Sequence, residues 1–394
     1  MLTIYQHKAH LSPIRLRLSF VSSNNERTEI KEMRTEEIKQ DQKNAINLQG
    51  TSIEQVELDP SHIMQTATSF WASKVLLTAV EFDLFTVLGD AAMTANQLGD
   101  QLGIHPRGIY DFFDSLVASG FLQREGDGAN GKYKNTPNTA AFLNKSSSTY
   151  IGGMPEMLNN RLFGFWNNLG EALKTGQPQN EIKHTGKPMF EELYSDNAKL
   201  GQFLDAMTGF QAVNFQLLAE KFDFTQHNSV SDIGGALALL SRIVGSIHPH
   251  LSLNSFDLPP VAPLAQKHID QAGMTDRINV IAGDFFVDDF PNADVITMGN
   301  ILHDWNLDNK KMLIQKAYDA LPEGGVFIAI ENLIDDARRE NLFAMLMSLN
   351  MLIEFGDAFD YTGKNFCDWC SEAGFKHFEI INLAGPTCAA IAYK

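Results

Sequence analysis

The sequence predicts an α/β protein: a doubly wound, Rossmann-like sheet domain preceded by a helical, winged-helix-like domain. Three observations predict it. From Ser229 onward, short apolar strand patterns alternate with helical ones, as in a mostly parallel sheet with helices on both faces. Between about residues 60 and 135, helical segments are followed by two short strands around a glycine-rich tip, a helix–turn–helix–hairpin order. The 394 residues are 44% hydrophobic and 20% charged, an ordinary globular composition with length for two or three domains.

Charge and cysteine content narrow the class. Asp and Glu number 48 against 31 Lys and Arg, a net charge of −17. Such a surface repels nucleic-acid phosphates and anionic lipid, so neither nucleic acid nor membrane is an expected partner. Three cysteines exclude a disulfide scaffold and point to a reducing, cytoplasmic setting. No apolar run approaches the roughly 20 residues that span a bilayer.

Residues 1–58 have no sustained periodicity and are expected to be a disordered tail. This stretch is acid-free through Asn25, with Lys8, Arg15 and Arg17, and turns charged and polar from Glu26 to Lys43. An acid-poor basic start suits a transit peptide; a translation start at Met33 is the other reading.

Residues 59–145 are expected to form the winged-helix-like domain. Ser61 to Leu88 has an apolar helical pattern. Thr94 suits an N-cap for Ala95 to Leu102, and Gly103 breaks that helix. His105-Pro106-Arg107 opens another helix, to about Ser119, with Ile109, Phe112, Phe113, Leu116 and Val117 inward. Strands at Phe121–Arg124 and Lys132–Asn135 flank the Gly126–Gly131 tip. The second helix carries Asp111 and Asp114 with one arginine nearby, a poor face for reading bases, so dimerisation is favoured over DNA binding.

Residues 146–228 are helical and rich in methionine and aromatics, including Met157, Phe165, Met189 and Phe190. Such stripes form core, and ahead of a nucleotide-binding pattern they also suit the wall of an apolar pocket. Met154, Phe163, Trp166, Met207 and Phe210 are the candidates, with Asn350 from a later segment.

Residues 229–394 are expected to hold the sheet. Its strands are placed at Val230–Ile233, Leu251–Phe256, Ile278–Ala282, Val295–Met298 and Val326–Glu331. Helices at Leu239–Ile247, Val261–Ala272 and Asn309–Leu321 separate them. A helix at Lys364–Ala373 then leads to two strands, near His377–Leu383 and Thr387–Tyr393, joined at Gly385-Pro386.

Four features fall at the carboxyl ends of these strands, where open α/β sheets bind ligands. Asp232-Ile233-Gly234-Gly235 ends the first strand, and its glycines let a ligand approach the backbone. Asp257, with Leu258 beside it, ends the second, where an acid takes ribose hydroxyls. Asp284-Phe285 ends the third; an acid beside an aromatic ring suits an adenine. His303-Asp304-Trp305 follows the fourth.

In order and spacing, Phe256-Asp257-Leu258-Pro259, Gly283-Asp284-Phe285-Phe286, His303-Asp304-Trp305 and Leu321-Pro322-Glu323-Gly324-Gly325 carry a resemblance. The chain from about residue 61 to 394 resembles class I S-adenosylmethionine-dependent O-methyltransferases of the caffeate and acetylserotonin type, most closely the bacterial branch that includes hydroxyneurosporene methyltransferases. The resemblance implies S-adenosyl-L-methionine as cofactor, a homodimer, and a small hydroxylated acceptor. It implies that Asp232, Gly234 and Gly235 line the methionine moiety, that Asp257 and Leu258 flank the ribose, and that Asp284 and Phe285 meet the adenine. It implies His303 as general base, Glu331 orienting it, and a second orienting acid near Asp360. Methyl transfer from positively charged sulfur asks a protein to align the partners and deprotonate the nucleophile, so no metal is expected. A histidine neutral near pH 7, held by a carboxylate, suits that task.

The glycine turn departs from the family's pattern at Leu237 and Ala238, where side chains threaten the ligand unless φ is negative. Gly299 stands where plant relatives often carry lysine. The turn keeps open a catalytically altered or inactive relative. A nicotinamide-dependent oxidoreductase, lacking its Gly-x-Gly-x-x-Gly run, and a ligand-sensing winged-helix regulator are the remaining alternatives. Cys367-Asp368-Trp369-Cys370 reads as helix packing, His248-Pro249-His250 as a connecting loop, and Glu181–Lys187 as a polar loop or a lid.

Overall fold

A computed structural model describes residues 58–186 and 197–394. The expected tail lies outside the described residues except for Leu58, as do the transit-peptide and Met33 readings, Met189 and Phe190. Residues 69–394 form one compact unit.

The first expected helix divides. Helix α1 spans Ser61–Glu81 and α2 spans Leu84–Leu88, because Asp83 between them adopts φ +55°. Strand β1 (Met93–Thr94), not foreseen, leads into α3 (Ala95–Leu102). There Thr94 and Gln97 exchange side-chain and backbone hydrogen bonds in a capping box, so the expected N-cap is in place. Helix α4 (Ile109–Ala118) starts three residues after Pro106 and buries Ile109, Phe113 and Leu116. Strands β2 (Leu122–Glu125) and β3 (Lys132–Asn135) form the hairpin, and β1 joins it in the order β1-β3-β2. Helix α5 (Pro137–Phe142) closes this part. Its core joins Leu84, Phe85, Leu98, Phe113, Leu116 and Tyr133 in one apolar cluster.

Short helical pieces follow: α6 (Gly153–Met157), a π-helical turn at Leu158–Leu162, α7 (Leu169–Thr175) and α8 (Ile182–Thr185). Helix α9 (Asn197–Lys221) then runs to the sheet.

The main sheet contains β4 (Ser229–Ile233), β5 (Ser252–Asp257), β6 (Ile278–Ala282), β7 (Val295–Gly299), β8 (Val326–Glu331), β9 (His377–Asn382) and β10 (Cys388–Tyr393). Its order is β6-β5-β4-β7-β8-β10-β9. Strands β4 to β8 are parallel, and β10 runs antiparallel against β8 and β9. Helices α10 (Leu239–Ile247), α11 (Ala262–Gln271), α12 (Leu307–Ala320), α13 (Leu342–Phe355) and α14 (Gly363–Ala373) complete the chain. Strand β8 is buried throughout, as a parallel strand covered on both faces must be. Chain order reverses between β4 and β7, and that switch point fixes where a crevice opens at the strand ends.

Candidate active site

The turn after β4 is built by backbone. The Gly234 and Gly235 amides donate to the Phe256 carbonyl at 2.8 and 3.1 Å, tying the turn to β5. Gly234 adopts φ +74°, and a Cβ there would lie 2.2 Å from Ile301 Cδ1. A Cβ on Gly235 would lie 2.3 Å from Ser255 Oγ. Both glycines are therefore demanded by the approach of neighbouring elements.

The next positions carry side chains where glycine is easier. Ala236 has φ +47° and Ala238 φ +56°. The condition under which alanine would sit here without strain, a negative φ, is not met. Each left-handed alanine costs roughly 1–2 kcal/mol of local strain. Ala238 is fully buried in the sheet core, and Leu237, only 2% exposed, packs with Leu200, Leu204 and Val261 and also borders the ligand cavity. Packing against these residues holds the turn in its strained shape.

Three carboxylates stand at successive strand ends. Asp232 Oδ1 accepts from Thr297 Oγ1 at 2.8 Å. Burial pushes Asp232 up to about 7, against that hydrogen bond, and the nearby Asp257 charge adds to the rise. Asp257 accepts backbone N–H bonds from Ala236 at 2.8 Å and Leu258 at 2.7 Å. Burial still pushes it up to about 6. Each of its oxygens keeps a further lone pair for a hydroxyl donor. Asp284 accepts the Phe286 amide at 2.8 Å. The rings of Phe285, Phe286 and Trp305 meet edge to face, with centroids 4.6–5.8 Å apart.

These groups line a cavity of about 250 Å³. All seven expected cofactor residues, Asp232, Gly234, Gly235, Asp257, Leu258, Asp284 and Phe285, are in its wall. Helix α9 supplies Phe203, Leu204, Met207, Thr208, Gln211 and Phe215, and the β7 end supplies Gly299, Asn300, Ile301, Asp304 and Trp305. The glycine-lined floor, the acceptor-only carboxylates and the aromatic cluster fit a nucleoside carrying a flexible polar tail.

His303 lies just behind this wall, 7% exposed. Its Nε2 is 3.4 Å from Asp304 Oδ1 and its Nδ1 is 3.3 Å from Asp360 Oδ1. Both are ion-pair separations. Glu331 acts elsewhere than expected. Its Oε1 accepts the His303 backbone N–H at 3.2 Å, so it holds the loop rather than the ring. This follows from its place at the end of β8, beside the β7 end from which the His303 loop leaves. Asp304 and Asp360 are the acids at the ring.

Burial alone pushes His303 down, but the charges of Asp304, Asp360 and Glu331 outweigh it and raise the imidazole to about 10. The neighbouring carboxylates thus favour the imidazolium in the ligand-free site, where the sequence alone implies a histidine neutral near pH 7. Burial pushes Asp304 up to about 7 despite the His303 charge.

Lys310 completes the cluster. It is fully buried, donates to the Trp305 carbonyl, and lies 3.8 Å from the centre of the Phe359 ring. Burial pushes it down to about 8, against the attraction of Glu331, Asp360 and Asp304.

The substrate-pocket candidates separate. Met207 lines the cavity, but Met154, Phe163, Trp166 and Asn350 do not. The Trp166 indole N–H donates to Asn350 Oδ1 at 2.9 Å, so these two satisfy each other, and Lys74 covers the Phe163 ring. The Phe210 side chain lies outside the described residues. Sequence reasoning missed Lys310 and Gln211 although a signal existed for both. Each is a polar residue on a buried helical stripe, Lys310 with Leu313, Ile314 and Ala317, and Gln211 with Leu200, Leu204 and Leu218.

A parallel sheet with a nucleoside-shaped cavity at its switch point, backed by a buried acid–histidine cluster, defines a Rossmann-like transferase. An O-methyltransferase domain model matches residues 166–376, and an O-methyltransferase dimerisation domain model matches residues 64–145. The tetracenomycin polyketide synthesis 8-O-methyl transferase TcmO of Streptomyces glaucescens is 37% identical over 335 residues, 85% of this chain and 97% of that protein. The N,N-dimethyltransferase OxyT of Streptomyces rimosus is 32% identical, covering 80% of this chain and 90% of its own. The crystal structure of human N-acetylserotonin methyltransferase in complex with S-adenosylmethionine superposes with a TM-score of 0.78 at 26% identity, over 88% of this chain and 99% of that one. The chain belongs to the O-methyltransferase family, and it is an S-adenosylmethionine-dependent enzyme. Its N-terminal part is the family's dimerisation domain. Among the described residues no helix is long and apolar enough to cross a membrane.

Proposed function

We propose that this enzyme methylates a phenolic hydroxyl on a small, largely apolar aromatic molecule of the polyketide type, with His303 as general base. The acceptor class follows the relative TcmO, named for polyketide synthesis, and the aromatic and aliphatic lining from α9 supports it. Asp232, Gly234, Gly235, Asp257, Leu258, Asp284 and Phe285 would hold the cofactor, Asp257 taking the ribose hydroxyls. When bound, S-adenosylmethionine supplies a methyl group on positively charged sulfur, and that charge opposes a proton on His303.

The observation that carries the reading is the line Asp304–His303–Asp360, which begins at the cavity wall and ends in the core. His303 takes the acceptor's proton at Nε2, and Asp360 at Nδ1 stabilises the imidazolium that results. Glu331 and Lys310 fix the loop on which His303 sits. Beside the sulfonium charge the His303 pKa falls from its ligand-free value, and Nε2 is freed to accept a proton, which an aromatic hydroxyl, the more acidic class of alcohol, gives up most easily. An alkyl alcohol, several units less acidic, gains far less from this base. An aromatic amine is already neutral and needs no prior deprotonation, so the buried cluster favours an aromatic hydroxyl over an aromatic amine.

We also propose a division at residues 59–145, 146–228 and 229–394, supported by the two separate sheets. A homodimer is supported by the dimerisation domain and by the exposed Phe70 and Trp71 of α1. A cytoplasmic setting is supported by the three unpaired cysteines.

The test is calorimetry with S-adenosylhomocysteine, followed by a screen of phenols, alkyl alcohols and aromatic amines. We expect micromolar binding, about −8 kcal/mol, and methylation of phenols only. Binding without methylation of any phenol would sink the acceptor assignment, and transfer to amines alone would move it to nitrogen. Size-exclusion chromatography with light scattering reads the dimer.

A further inference from the structure

Helix α9 lays one buried polar side chain against the cavity, Gln211, which is 3% exposed. Hydrogen bonding fixes which end of its amide is engaged. The Ala384 backbone N–H can only donate, and it donates to Asn214 Oδ1 at 3.0 Å. The other end of Asn214 is therefore its NH₂ group, which donates to Gln211 Oε1 at 2.9 Å and to Thr387 Oγ1 at 3.3 Å. Thr387 in turn donates to Asn332 Oδ1 at 2.9 Å. The chain of bonds leaves Gln211 with its own NH₂ group uncommitted, buried, and without a partner among the described residues.

A buried amide donor with no acceptor carries an unrecovered desolvation cost, and that cost is recovered when an acceptor arrives. Asn300 Oδ1 is also buried without a partner among the described residues, but it is an acceptor and calls for a donor, not a carbonyl.

Gln211 stands on the β7–β8 side of the cavity. Its relay ends at Asn332 after β8 and at Thr387 before β10, and Phe215, one turn along α9, lies over Gly299 at the end of β7. The carboxylates suited to ribose and adenine stand instead at the ends of β5 and β6, on the other side of β4.

We propose that Gln211 Nε2 recognises a carbonyl oxygen on the methyl-accepting molecule, distinct from the hydroxyl that is methylated. The enzyme selects hydroxyaryl ketones over phenols of the same shape that lack the second oxygen. This assignment rests on the phenolic reading above and deepens it.

The test uses two probes that differ by one oxygen, 6-hydroxy-1-tetralone and 5,6,7,8-tetrahydro-2-naphthol, titrated by calorimetry with saturating S-adenosylhomocysteine. The native enzyme binds the tetralone about tenfold more tightly or better. Gln211→Leu erases that preference and leaves tetrahydronaphthol and S-adenosylhomocysteine affinities within twofold. Gln211→Glu keeps an oxygen for Asn214 while removing the donor, so it gives the same result if the leucine variant does not fold. Equal binding of the two probes by the native enzyme overturns the proposal. So does a Gln211→Leu enzyme that loses S-adenosylhomocysteine affinity, which assigns the amide to the cofactor's carboxylate. Either failure leaves methylation of phenols intact, whereas failure of the phenolic reading appears as no turnover with any phenol.

Discussion

The turn after β4 and the cluster around His303 face the same cavity, yet they are made of different material. The turn is backbone: two glycines held to the Phe256 carbonyl, followed by two alanines at positive φ. The cluster is side chain and charge: His303, Asp304, Glu331, Asp360 and Lys310, drawn from four separate segments and packed with little solvent. The difference teaches that shape at the turn is local and strained, while reactivity at the cluster is collective. Damage to the turn should be felt in binding, and damage to the cluster in turnover and its pH dependence.

The largest effect should come from His303→Ala. Turnover should fall by roughly 100-fold or more, with S-adenosylhomocysteine affinity within a few-fold. Parallel loss of both would make His303 structural and erase the contrast. On the other side, Gly234→Val places a branched side chain at φ +74°, into the space of Ile301. It should weaken S-adenosylhomocysteine at least tenfold by calorimetry and destabilise the fold by about 2 kcal/mol or more. Unchanged affinity would mean the turn does not shape the cofactor site.

Asp360→Asn sharpens the collective side. Carboxylates hold the His303 pKa up, so removing one lowers it. The base is then neutral from a lower pH, and the acid limb of kcat/KM should move down by about one unit, with kcat reduced about tenfold. A limb that moves upward contradicts the charge argument. Ala238→Gly should be the mildest. Relief of left-handed strain exceeds the added chain entropy by a few tenths of a kcal/mol, so urea stability should rise by about 0.5 kcal/mol with cofactor affinity within twofold. A loss above about 1 kcal/mol would show that the buried methyl's packing dominates.

The same contrast explains what was legible. Strands β6 and β8 and helix α10 fall on their expected residues, because a parallel strand or its covering helix carries its apolar pattern within itself. Residues at the ends of those strands, Asp232, Asp257 and Asp284, follow as soon as the strands are placed. The break at Asp83 and the edge strand β1 have no such signature; each is decided by packing from elsewhere. Glu331 was visible as a strand-end acid, but its choice of a backbone amide over a ring depends on how the His303 loop leaves β7. The protonation of His303 was out of reach, because it sums charges that lie up to 57 residues apart in the chain. The expected pocket residues Met154, Phe163 and Trp166 lie outside the wall of this cavity, and the pairing of the Trp166 indole with Asn350, 184 residues away, is not visible in local composition.

Helix α9 carries a last consequence. One continuous segment contributes Phe203, Leu204, Met207, Thr208, Gln211 and Phe215 to the cavity, while the cluster that handles the proton is anchored on other elements. The apolar wall of the cavity and the buried charged cluster are thus written on separate pieces of chain, so exchanges along this single helix can reshape the cavity without disturbing the cluster.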